Sequence, residues 1–103
     1  MIPAYQPSTT IGETHGWKGL EAHEWKGLIS TDPVSKVIEF YANAIDTGGW
    51  ETVSKVITHH SGTFVVKKSG EGATISISWL PFRTLISLTT YPLPHAHDAP
   101  RAQ

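Results

Sequence analysis

One stretch constrains the fold more than any other: Thr31 to Trp50, TDPVSKVIEFYANAIDTGGW, the run with a sustained helical period. Val34, Val37, Ile38, Tyr41, Ala44 and Ile45 recur at helical spacing and form one apolar stripe, with Lys36, Glu39, Asn43, Asp46 and Thr47 opposite. Phe40 falls at the edge of the stripe, set to cover a neighbouring loop. Asp32 is expected as the N-cap and Pro33 as the first helical residue, where its missing N–H costs nothing. Gly48-Gly49 ends the helix, because glycine takes the left-handed C-terminal conformation without strain. A helix this short is marginal alone in water, so the stripe requires a partner surface.

That surface follows the helix. Four strand-like runs, Thr52–His59, Thr63–Lys68, Ala73–Leu80 and Thr84–Tyr91, are separated by His60-Ser61-Gly62, by Ser69-Gly70-Glu71-Gly72 and by Pro81-Phe82-Arg83. The third run alternates most cleanly, with Ile75, Ile77 and Trp79 on one face and Thr74, Ser76 and Ser78 on the other. Phe64, Val66, Ile86 and Leu88 join the inward set. The first run alternates poorly, which points to a bulge or to burial on both faces. All the connections are too short for parallel crossovers, so the sheet is an antiparallel meander. The expected fold is α+β: one main helix on one face of an antiparallel sheet of four strands or more, the other face rich in Ser and Thr and solvated.

The rest of the chain is divided accordingly. Residues 1–10 read as an extended lead-in, 11–91 as a single domain and 92–103, PLPHAHDAPRAQ, as a loosely attached tail. WKGL occurs twice, at Trp17–Leu20 and Trp25–Leu28, too short a repeat to imply duplication. Two short strands joined near Glu21–Glu24 are expected there as an N-terminal hairpin.

Composition narrows function mainly by exclusion. A chain of 103 residues, 39% apolar and 17% charged, builds one modest core. The formal charge of −1 argues against a dedicated nucleic-acid binder. Residues 1–51 carry seven acids against three bases, and residues 52–103 two against five, so an acidic helix side and a mildly basic sheet side are expected. Without cysteine there is no disulfide, thiolate metal site or Cys nucleophile. No stretch reaches the length of a transmembrane helix, and MIPAYQPSTT does not read as a signal peptide. An envelope or secreted setting would need a leader that is removed.

Several features of the sequence resemble a small α+β domain of uncharacterised bacterial proteins, often secreted or lipid-anchored. They are the lead-in IPAYQP, the helix core Val37-Ile38-Glu39-Phe40-Tyr41, Ile45, and the closing Gly49-Trp50 before a Gly-containing meander. The resemblance spans roughly residues 2–91, while Pro7 is displaced from the usual position after the lead-in tyrosine and the WKGL segment is not part of the pattern. It implies a fold and a lean towards the cell envelope, and brings no catalytic residues.

Candidate chemistry is sparse. His59 and His60 are adjacent on a strand and point to opposite faces. His95 and His97 in an extended tail point the same way beside Asp98, a weak divalent-ion pattern for which a solvated tail is the commoner explanation. His23-Glu24 lacks the second histidine of a zinc-protease helix. There is no nucleophile elbow, P-loop or dinucleotide glycine pattern, and no local pair of acids. An enzyme, a metal and a cofactor are therefore not expected. Lys55, Lys67, Lys68 and Arg83 could form a basic patch, though lysines on strand edges are commoner as protection against aggregation. Two functions remain: a non-catalytic interaction or structural module, with a protein partner or a second copy, and a small-ligand-binding domain. The latter would use a cleft between helix and sheet lined by Tyr41, Trp50, Phe64 and Trp79. Trp50 and Trp79 are expected in the core; Trp17 and Trp25 could be core or part of an aromatic strip.

Overall fold

Val34–Thr47 forms α1 in the computed structural model, which describes residues 2–18 and 21–93. Its apolar stripe does what the spacing requires: Val34, Val37, Tyr41 and Ile45 are buried. The stop is at the expected place, with Gly49 at φ +74° and the Trp50 N–H bonded back to the Ile45 carbonyl at 3.1 Å. The start differs. Pro33, in extended conformation, is the N-cap, and no side chain caps the first turn. Asp32 is turned elsewhere: its carboxylate accepts the Tyr5 hydroxyl.

Among the described residues six strands form one sheet: β1 (Thr9–Lys18), β2 (Glu21–Ser30), β3 (Glu51–Ile57), β4 (Ser61–Lys68), β5 (Glu71–Leu80) and β6 (Arg83–Pro92). Their order is β1-β2-β6-β5-β4-β3, every neighbour antiparallel, so the sheet is open with β1 and β3 at its edges. The N-terminal hairpin is longer than expected, because Glu21–Glu24 is strand rather than connection. The turn after β3 also comes earlier: Ser61 and Gly62 already belong to β4.

The inward set is as the alternation requires. Phe64, Val66, Ala73, Ile75, Ile77, Ile86 and Leu88 are buried, in register across β4, β5 and β6. β3 is bulged, its register shifting between Thr52 and Ser54, and all seven of its residues are exposed, so the poor alternation reflects the bulge and not two-sided burial.

α1 packs mainly across β5, β4 and β3. The remaining inner face, over β6 and β2, is partly covered by the segment before β1. Residues 2–8 form neither helix nor strand, yet they join the core, with Ile2 and Tyr5 buried. Phe40 covers this segment, its ring edge-on to Tyr5 at 5.1 Å.

The outer face is half-buried rather than freely solvated. Trp25 accounts for much of this on β2. Its indole N–H donates to Ser87 Oγ at 2.8 Å, and its ring lies against Gly12 and Gly27. Trp25 therefore packs on the outer face and also borders a cavity beside Glu24 and Lys26. The side chain of Trp17 and the tail from residue 94 on, with His95 and His97, lie outside the described residues.

Candidate functional site

Because α1 stops short of β2 and β1, part of the inner face stays open beside the N-terminal segment. A cavity of about 240 Å³ lies there. Ile2 and Ala4 form one wall and Leu88 part of the floor. The other side is charged and is built by strand register. Glu13 lies opposite Lys26, and His15 opposite Glu24, in the β1–β2 ladder. Side chains two apart on one strand share a face, so all four project together. His15 is 3.2 Å from Glu13 and 3.5 Å from Glu24, and Lys26 Nζ is 3.7 Å from Glu13. With His15 neutral, two carboxylates face one ammonium, leaving an excess negative charge on an otherwise apolar cavity.

The cavity is also tied to the core. Tyr41 Oη donates to the Pro3 carbonyl and accepts from the Tyr5 N–H, both at 3.0 Å, so the helix holds the segment that carries Ile2 and Ala4. Burial pushes the Tyr41 hydroxyl up to about 12, partly offset by its hydrogen bond from the Tyr5 backbone. Burial and then the adjacent Asp32 carboxylate push the Tyr5 hydroxyl up to about 12 as well.

A family model described as START domain-like matches residues 27–98. The chain belongs to the START domain-like family. No curated protein and no solved structure matched it. In this START domain-like chain the match takes in the end of β2, α1 and β3 to β6. It does not include β1 or the start of β2, so Glu13, His15, Glu24 and Lys26 all precede it. The charged wall lies on the first hairpin, ahead of the matched residues.

The residues expected to line a helix–sheet cleft are distributed differently. Tyr41, Phe64 and Trp50 meet between helix and sheet, but as packed core at 0%, 1% and 8% exposure. None of them lines the cavity above. Trp79 corrects the expectation of burial: it is 54% exposed. It keeps the register of Ile75 and Ile77, but sits beyond the start of α1, against His60 at a ring separation of 5.6 Å. The lysines and Arg83 do not gather into a basic patch. Lys67 pairs with Glu51, and Lys68 donates to the Gly48 carbonyl over the Trp50 ring, at the end of the sheet opposite Arg83. Among the described residues no cluster of three metal-ligating side chains could hold an ion. No helix among the described residues is long and apolar enough to cross a membrane.

The charged wall was legible in principle. Glu13 and His15 lie as far before positions 19 and 20 as Lys26 and Glu24 lie after them. Placing the hairpin turn at Glu21–Glu24 hides that symmetry.

Proposed function

We propose that this chain is a non-catalytic domain that binds a small amphipathic molecule on the open part of its inner sheet face. The observation that carries the reading is the pairing of two surfaces in one cavity: apolar Ile2, Ala4 and Leu88 against charged Glu13, His15, Glu24 and Lys26. Binding sites of this kind combine mainly apolar lining with a few polar groups that orient the ligand. Membership of the START domain-like family is consistent with small-ligand binding. A volume of about 240 Å³ lies just below the usual range for such sites, which favours a compact ligand. The excess carboxylate favours a ligand whose polar end donates hydrogen bonds or carries positive charge.

The test is an NMR titration of the labelled domain with short-chain alkyl amines, alcohols and carboxylates. Amines should perturb the amides of Glu13, Glu24, Leu88 and Thr90 most strongly, and Glu13→Gln with Glu24→Gln should abolish the preference for them. Absence of saturable shifts at these positions with all three classes would reject the site.

The other reading of the sequence, an interaction module, finds support in Val53, Val56 and Ile57, which are half-exposed or more on edge strand β3. Lys55 and the bulge beside Val53 work against open-ended strand pairing there.

A further inference from the structure

The end of the sheet away from Gly70 gathers an unusual set of side chains. Its β5–β6 connection is the pair Pro81-Phe82, between Leu80 and Arg83, which face each other in the ladder. Phe82 is 94% exposed and has φ +62°. That is a conformation turns of this kind give to Gly or Asn, and one that a bulky residue adopts only with strain. Nothing in the fold requires an aromatic ring there, since the ring packs on almost nothing. Strain at such a position is a pointer to function. Trp79, two residues before the turn, is also exposed, and a cavity of about 490 Å³ separates Trp79 and Phe82 from the start of α1.

The charge around this tip is mildly positive. The segments that meet here are residues 7–9, 30–36, 58–61 and 79–84. They contain Lys36 and Arg83 against a single carboxylate, Asp32, a formal excess of one positive charge with His59 and His60 counted as neutral. Asp32 is largely withdrawn, its side chain 21% exposed and bonded to the Tyr5 hydroxyl.

We propose that this end of the molecule docks onto an anionic lipid surface, with Phe82 as the inserted side chain. A projecting turn suits insertion into a soft interface better than a fit to a rigid partner groove. Pro81 brings no N–H that would have to be desolvated. Trp79 has the amphipathic ring that favours the headgroup level, and Arg83, which borders the same cavity, is available for the lipid phosphates. The basic excess supplies attraction to anionic headgroups, which falls off within a Debye length.

The experiment is vesicle flotation of the whole chain with phosphatidylcholine alone and with phosphatidylcholine containing phosphatidylserine. The wild type should float with the phosphatidylserine vesicles, and much less with phosphatidylcholine alone. Phe82→Gly removes the ring and relieves the backbone, so it should fold with an unchanged or higher melting temperature. Its vesicle binding should fall by about ten-fold, the order expected for losing one buried aromatic side chain. The proposal is overturned if the wild type does not float with phosphatidylserine vesicles, if both vesicle types bind equally, or if Phe82→Gly binds like the wild type. It is also overturned if sedimentation shows a Phe82-dependent dimer without vesicle binding, which would assign the tip to a second copy.

Discussion

Tyr41 on the helix and Tyr5 on the segment before β1 are joined by a buried hydrogen bond, 3.0 Å from the Tyr5 N–H to Tyr41 Oη. The same hydroxyl donates to the Pro3 carbonyl. One side chain therefore satisfies two backbone groups of a segment that has no ladder of its own. Tyr41→Phe keeps the ring and its packing but leaves the Tyr5 N–H and the Pro3 carbonyl without that partner. It should destabilise the domain by about 1–3 kcal/mol, the cost of unsatisfied buried polar groups. Urea denaturation measures this; a midpoint equal to wild type would show that the segment is not held by this bond.

The same two tyrosines set an alkaline limit. Both hydroxyls titrate near 12 in the fold, against 10 in the unfolded chain. The folded state thus keeps protons that the unfolded state has already lost. Stability from this source is complete below pH 10 and is lost as the pH rises from 10 to 12. Thermal melts across that window should fall steeply for the wild type. The double variant Tyr5→Phe, Tyr41→Phe should be less stable at neutral pH and show a shallower decline; equal slopes would reject the linkage.

Trp79 shows how far alternation carries a reading, and where it stops. The pattern on β5 places Ile75, Ile77 and Trp79 on one face, and that register is correct. Periodicity does not show where the covering helix begins. Since α1 starts at Val34, the last inward position of β5 lies past its end. Trp79→Ala should therefore cost less than about 1 kcal/mol, as surface substitutions do, whereas Ile77→Ala should cost about 2–5 kcal/mol. Comparable losses for both would place Trp79 in the core after all.

What the sequence made legible was local: the helix, its glycine stop, the meander and the inner-face residues of β4 to β6. What it hid depended on contacts between distant segments. Burial of Ile2 and Tyr5 depends on Tyr41, 36 residues after Tyr5. The charged wall depends on a hairpin register that Gly-containing strands specify weakly. Trp25 explains two of those glycines. A Cβ on Gly12 would lie 2.7 Å from its ring, and one on Gly27 2.8 Å. Gly12→Ala and Gly27→Ala should each cost about 1–3 kcal/mol through overpacking. Trp25→Ala should cost stability itself and make a following Gly27→Ala nearly neutral. Additive losses in that cycle would show that the ring does not occupy the site.

Asp32 provides the last prediction, because two physical accounts of it differ in outcome. As an N-cap it would stabilise α1 alone, and its loss would be independent of Tyr5. In the structure it caps nothing; it accepts the Tyr5 hydroxyl and lies 3.8 Å from Lys36 Nζ. Its own N–H is taken by Ser30 Oγ, and its carbonyl by the Thr84 hydroxyl, so the backbone there is fixed from both sides. Asp32→Asn keeps that backbone and removes the charge. The two single variants, Asp32→Asn and Tyr5→Phe, should each be destabilised, and the double variant should lose less than their sum. A coupling of about 1.5–3 kcal/mol is the size expected for a hydrogen bond to a charged group in a partly buried site. Lys36 is itself exposed, so its pairing with Asp32 should add little. Strict additivity in the cycle, together with reduced helix content in Asp32→Asn, would restore the capping role and remove Tyr5 from the account.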